Sequence, residues 1–287
     1  MSTAHKLRVL QCGQSVTLAL LALALCRAQP GRAAALAMAL LAVAPLALVG
    51  TQMLQRQRWA PRARGCAAVV LREAWLQART FGWLQPWRSR TWPDDVHGRR
   101  RGVVLVHGYW CNRGVWNPLL RRLDRRGTPF VAPDLEPMPA DIEAYAARID
   151  AAVRQLHAAG GGAPVIVAHS MGGLAVRAWL AARPVPPPVA RIVFVGTPHQ
   201  GTPLARWARS PAARQMRPHS AWLRALAQRE PALPPALCIA ATCDQVVYPP
   251  TAALLRGVPA HLLDGTGHLG LITAPATWRA VLRALRD

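Results

Sequence analysis

Val165 to Leu180 reads VIVAHSMGGLAVRAWL. A run of apolar residues ends at His169-Ser170, and two glycines then open a segment of helical composition. A serine in that place has a bland explanation, because serine is a good helix N-cap. It also has a sharper one. In the pattern G-x-S-x-G the serine occupies a strained turn between a strand and a helix. The residues two before and two after it must be small, so that the two elements can approach. Gly172 meets that rule, and Ala168, standing where glycine is usual, is small enough to serve. Which explanation holds depends on what surrounds the stretch.

On both sides, short apolar runs alternate with helical segments. Strands are expected at 102–106, 129–132, 165–168, 191–195, 236–241 and 260–263. Helices are expected at 115–126, 141–157, 171–182 and 275–285, the last with Pro275 in its first turn, where the missing N–H does no harm. Such alternation predicts a parallel sheet covered on both faces, with the functional loops at the carboxyl ends of its strands.

A serine hydroxyl is a weak nucleophile and needs a histidine base oriented by a carboxylate. Behind a G-x-S-x-G turn the chain order is serine, acid, histidine. Asp244 ends the run ALCIAATC, and His268 follows the next strand in DGTGHLGLI, so both stand at strand ends in the required order. Asp264 is the alternative acid; four residues before His268, it is expected to cap the turn instead. His199, in GTPHQGT, is expected to line the edge of the site, and His169 to pack beside the serine. The remaining histidines read as surface or packing residues, and none shows metal-ligand spacing. The oxyanion of an acyl-transfer reaction needs two donors: the backbone N–H after the nucleophile, on Met171, and one from the loop VHGYWCNRGVW, where Gly108 turns the chain and Tyr109 presents its N–H.

The segments VLVHGYW, AHSMGGL, VGTPHQGTPLA, CDQVV and GTGHLGL resemble, in order and spacing, bacterial lipases and carboxylesterases of the α/β-hydrolase superfamily. The resemblance runs from about Gly102 to the C-terminus, and Ala168 is its one departure in the serine motif. It implies an α/β-hydrolase fold and a serine ester hydrolase with Ser170, Asp244 and His268 as the triad, Tyr109 and Met171 as oxyanion donors, and no cofactor or metal. The same triad serves acyl transfer to another alcohol or thioester cleavage. A membrane scaffold without turnover is the non-enzymatic alternative.

The N-terminus lies outside that resemblance. Residues 33–54 form a run of 22 without charge, longer than the ~20 a helix needs to cross a bilayer. Residues 9–26 form a second uncharged run of 18 whose first third is polar. The expected organisation is a membrane anchor over 1–60 with spans 9–26 and 33–54, a helical connector over 61–100, and a catalytic domain over 101–287. A signal peptide competes for the first span, with Lys6 and Arg8 as its basic region. Arg56, Arg58, Arg62 and Arg64 form the heaviest positive flank, which predicts the inner (cytoplasmic) membrane with the catalytic domain on the cytoplasmic side. Five of the eleven tryptophans fall in or beside the connector, as an interfacial belt or as packing residues. Net charge is +22 with Lys6 the only lysine; no nucleic-acid-binding motif accompanies it, so the expected partners are an acyl ester or lipid and a membrane, not nucleic acid. Cys238 and Cys243 are close enough in sequence to pair, although scattered cysteines are more often free. Finally, 200–235 is a long insertion expected to be either a lid, with Trp207, Met216, Trp222, Leu223 and Leu226 on its inner face, or a helical excursion packed on the sheet.

Overall fold

A computed structural model describes residues 1–25, 30–59, 67–183, 185, 188–229 and 233–286. Arg27, Arg62 and Arg64 lie outside the described residues. So do residue 26 at the end of the first expected span, residues 61–66 of the connector and residues 230–232 of the insertion.

The strands are β1 (Val103–Val106), β2 (Phe130–Val131), β3 (Val165–His169), β4 (Arg191–Val195), β5 (Ala236–Ala241) and β6 (Ala260–Leu263). They form one parallel sheet in the order β2-β1-β3-β4-β5-β6, the α/β-hydrolase fold expected. The helices that precede the sheet are α1 (Thr3–Leu25), α2 (Pro30–Trp59), α3 (Ala67–Arg79) and α4 (Gln85–Trp87). Within and after it come α5 (Asn117–Asp124), α6 (Ala146–Leu156), α7 (Met171–Ala181), α8 (Pro211–Gln215), α9 (Ala221–Arg229), α10 (Gly270–Thr273) and α11 (Pro275–Ala284).

Successive strand residues point to opposite faces, and here both faces are covered. Val104, Val106, Ile166, Ala168, Ile192 and Phe194 pack with residues of α6, α7 and α9. Val103, Leu105, Val165, Val167, Val193 and Val195 pack on the other side with α5 and α11. That double burial is why the strands read as unbroken apolar runs. Two expected helices begin late. A 3-10 turn, Arg113–Trp116, precedes α5, because Pro118 fits only the first turn of an α-helix. Another, Ile142–Tyr145, precedes α6, which ends in a widened turn with Gly160 at φ +85°.

The helices α1 and α2 are long and apolar enough to cross a membrane, and they pack side by side. Their outer ends do not hang free. Thr3 N–H donates to Glu136 Oε1 at 2.6 Å, Lys6 Nζ to the Met138 carbonyl at 2.6 Å, Arg8 Nε to the Pro86 carbonyl at 2.7 Å and Gln11 Nε2 to the Gly82 carbonyl at 2.8 Å. At the far end of α2, Val49 and Met53 pack with Val69, Ala74 and Cys243, and the buried Arg56 guanidinium donates to the Thr242 carbonyl. Lys6, Arg8 and Arg56, counted in the sequence as flanking charges, therefore hold the helices to the globular part.

In the insertion, Met216, Leu223 and Leu226 join the core against α7. Trp222 is half-buried there, whereas Trp207 is 75% exposed and takes no part in that face.

Candidate active site

The order of the strands reverses between β1 and β3, the place in such sheets where the connecting loops diverge at the carboxyl ends of the strands. Ser170 stands there, immediately after β3. Its φ of +55° and ψ of −131° are a conformation that residues with a β-carbon rarely adopt. Two neighbours make the turn possible. A β-carbon at Gly172 would lie 2.4 Å from the His107 carbonyl oxygen, and one at Gly173 would lie 2.0 Å from Thr197 Oγ1. The Ser170 amide is anchored to the Val195 carbonyl at 2.9 Å. Ala168, the departure from the glycine pattern, is fully buried between Val106 and Phe194 of the flanking strands, which accommodate its methyl group.

The loops after β5 and β6 bring Asp244 and His268 together. His268 Nδ1 lies 2.8 Å from Asp244 Oδ2, with both side chains almost completely buried. The other carboxylate oxygen accepts from the amides of Val246 at 2.8 Å and Val247 at 2.7 Å, which fixes its direction. Burial pulls the proton affinity of His268 down, but the Asp244 carboxylate, the hydrogen bond to it and the Glu73 charge together raise it above the usual value. With Nδ1 held by the carboxylate, Nε2 is the nitrogen left to take a proton. The His268 ring lies 4.5 Å from the ring of His169, next to the serine, and a β-carbon at Gly196 would press within 3.3 Å of His268 Nδ1. Asp264, the alternative acid, is exposed, and its carbonyl closes the turn by accepting from Thr266 Oγ1.

The loop after β1 closes on the serine. A β-carbon at Gly108 would sit 2.8 Å from Ser170 Cβ, so only glycine allows this approach. The neutral His107 ring braces the loop: Nε2 accepts from the Leu135 amide at 2.9 Å, while Nδ1 faces the Gly108 carbonyl at 3.0 Å. Burial holds that ring below its ordinary pKa. Tyr109 follows Gly108 within the turn closed by the Cys111 amide on the Gly108 carbonyl, and Met171 opens α7 directly after Ser170. The Tyr109 hydroxyl lies 2.8 Å from Ser210 Oγ, which ties this loop to the insertion. Cys111 offers no rival nucleophile, because burial pushes its thiol up to about 12.

His199 is buried against Phe194, Cys238 and Arg177, and burial holds it well below the usual imidazole pKa. One reading needs revision. Cys238 and Cys243 do not pair: Cys238 is free, whereas Cys243, next to Asp244, is disulfide-bonded. Among the described residues no cluster of side chains suits a metal ion. One group that no motif points to also reaches the site. Glu73 of α3, the only acidic residue among the first 93, runs fully buried into the loop that carries His268.

A profile of the alpha/beta hydrolase family matches residues 103–285. No curated relative matches the chain. Among solved structures, the mature Bacillus licheniformis lipase BlEst2 is similar over 66% of this chain and 93% of that one, at 17% identity and a TM-score of 0.56. Aspergillus fumigatus lipase B is similar at 18% identity and a TM-score of 0.54, over 66% of this chain and 53% of that one. For the Legionella pneumophila phospholipase PlaB the figures are 15% and 0.51, over 65% and 60%. At such identities the likeness is one of fold.

Proposed function

The chain belongs to the alpha/beta hydrolase family, and on that footing we propose that it is a membrane-associated serine hydrolase that cleaves carboxylic esters of lipids. The observation that carries the reading is the buried 2.8 Å contact between His268 Nδ1 and Asp244 Oδ2, beside a serine held at φ +55°. In the cycle, His268 Nε2 takes the Ser170 proton as the hydroxyl attacks the ester carbonyl. The amides of Tyr109 and Met171 receive the developing oxyanion. The histidine returns the proton to the leaving alcohol, then activates water against the acyl-enzyme. Asp244 holds the tautomer and stabilises the imidazolium.

The choice of lipid rests on where the N-terminal helices dock. Thr3 and Lys6 contact the loop after β2, Gln85 binds Asn112 in the loop after β1, Arg56 contacts the loop after β5, and Glu73 the loop after β6. The helices thus grip the carboxyl edge of the sheet, the edge that holds Ser170. Outside residues 1–87, the large exposed apolar side chains among the described residues are Val185, Trp207 and Leu262 alone. Leu71, Trp75, Trp83 and Trp87 form an exposed stripe at the root of the helix pair, with Arg79 over Trp75 and Arg8 over Trp87. Tryptophan and arginine side chains of this kind suit the headgroup layer. Beyond the Gln11 contact, residues 12–25 of α1 make about 21 Å of helix, and before Leu46, which packs at the root, residues 30–45 of α2 make about 24 Å. Both fall short of a hydrocarbon core of about 30 Å, so the pair reaches across only if the tryptophan-bearing edge itself sinks past the headgroup layer. In this reading 1–60 is the anchor, 61–100 the interfacial connector, and 101–287 the catalytic part, with 200–235 its cap.

The test is fluorophosphonate labelling of isolated membranes, followed by ester profiling. Labelling of the wild type and none of Ser170→Ala, with turnover of long-chain acyl esters that rises when micelles form, is the expected result. A folded wild-type protein that stays unlabelled moves the scaffold reading ahead. Equal turnover of short soluble esters with and without micelles argues against a lipid substrate. Two observations oppose each other on sidedness: Arg56 and Arg58 favour the cytoplasmic side, whereas the Cys243 disulfide favours an oxidising compartment. A C-terminal reporter that is active on only one side of the membrane decides between them.

A further inference from the structure

We infer that Glu73, supplied by the N-terminal helical segment, is a positioning residue that holds the His268 and Asp244 loops in register with each other. The inference rests on the reading of Ser170, His268 and Asp244 given above. Glu73 Oε1 accepts from the Gly270 amide at 2.8 Å, and Oε2 accepts from the Leu269 amide at 2.9 Å and from Gln245 Nε2 at 3.0 Å. Gln245 completes the circuit, since its Oε1 accepts from the His268 amide at 3.2 Å. One carboxylate therefore binds the two residues after the histidine, and, through the residue after the aspartate, the histidine's own backbone.

The loop is shaped to receive it. A β-carbon at Gly267 would lie 2.3 Å from Glu73 Cγ, and one at Gly270 would lie 2.8 Å from Oε1. Two of the three glycines of GTGHLG, Gly267 and Gly270, thus leave room for a side chain that arrives from another part of the chain. A carboxylate with no solvent exposure persists only where its oxygens are satisfied. Here each oxygen accepts hydrogen bonds, as an ionised group does. Burial nonetheless raises its pKa above the ordinary value, against the Gln245 and backbone hydrogen bonds that lower it.

Merely tethering the domain would need no such group: the helices could end on a greasy surface. Glu73 also acts on His268 by charge. The groups that face the imidazole are Asp244 from the β5 loop, His169 from the end of β3, held neutral by burial, and Glu73 from α3. Removing the Glu73 charge leaves Asp244 alone to favour the imidazolium, and His268 then titrates at lower pH.

The experiment uses the full chain in detergent, comparing wild type, Glu73→Gln, Gln245→Leu and Ser170→Ala. Hydrolysis of a p-nitrophenyl ester is followed across the pH range, with a thermal melt for each variant. Glu73→Gln keeps the volume of the side chain but loses its charge and sets an amide against backbone donors. The expected result is a kcat lowered about 10- to 100-fold, the scale of a small misplacement of a catalytic group, with KM close to wild type. The acid limb of kcat/KM moves to lower pH in Glu73→Gln, while Gln245→Leu loses kcat without that shift. A Glu73→Gln protein with wild-type kcat and an unmoved acid limb overturns the inference. If Glu73→Gln fails to fold, Gln245→Leu tests the same circuit from its other end, and full kcat there overturns it. Failure of the underlying reading looks different: Ser170→Ala would keep its turnover.

Discussion

Ser170 is held in a conformation that costs a side-chain-bearing residue on the order of 1–3 kcal/mol, and the residue is nearly closed off from solvent, at 7% exposure. Strain of that kind persists only where the surroundings impose it, and here the strand, α7 and the Gly108 loop do so. Ser170→Ala is expected to lower turnover by roughly 10⁶-fold, read in single-turnover ester hydrolysis, while the melt stays near wild type. Asp244→Asn has a pH signature as well. In the proposed cycle His268 acts as a base only when neutral; its pKa lies above the usual 6.5, so activity is expected to rise as pH climbs through that raised value. Removing the Asp244 charge lowers the pKa. The acid limb of the residual activity then moves to lower pH, with kcat down about 10⁴-fold. An acid limb unmoved in this variant would assign it to another group. These residues were legible in the sequence because each ends a short apolar run and the required chain order leaves few candidates. Glu73 was not legible: its partners are 172 to 197 residues away, and the glycines that admit it read as ordinary turn formers.

Strands proved more legible than helices at the scale of elements. Arg191–Val195 and Ala236–Ala241 have the ends their composition predicts, since a buried strand stops where its apolar run stops; the exposed edge strand Ala260–Leu263 has its expected ends too. The helix starts moved because a 3-10 turn and an α-turn share the same apolar spacing over four residues. Close approach of β3 and α7 depends on Gly172, so Gly172→Ala should destabilise by about 1–3 kcal/mol through overpacking against backbone, measured as a lowered melting temperature. The exposed stripe on α3, α4 and the turn between them gives a separate expectation. Replacing Trp75, Trp83 and Trp87 together by alanine should weaken turnover of vesicle-borne esters several-fold and leave hydrolysis of a soluble ester alone. Equal losses on both substrates would mean that these rings support the fold instead of contacting lipid.

Viewed whole, the chain is not a hydrolase with a detachable tail. Composition divides it sharply near residue 60, and that contrast conceals how far the first 87 residues reach into the later loops, because hydrogen bonds between distant segments leave no local pattern. A chain that begins at residue 95 would lack Arg56, Glu73 and Gln85, and would expose the polar backbone they now satisfy. It is expected to melt well below the full-length protein and to have lost most of its kcat, as comparison of the two in the same detergent would reveal.

The docking of α1 to α4 on the carboxyl edge of the sheet also bears on kinetics. If the mouth of the site faces the leaflet, the enzyme meets its substrate in two dimensions and never through the bulk phase. Its velocity would then follow the mole fraction of ester in the surface. Diluting that surface with an inert detergent, at constant total ester, should slow the reaction as surely as removing substrate would, and the fatty acid released would stay in the leaflet from which it came.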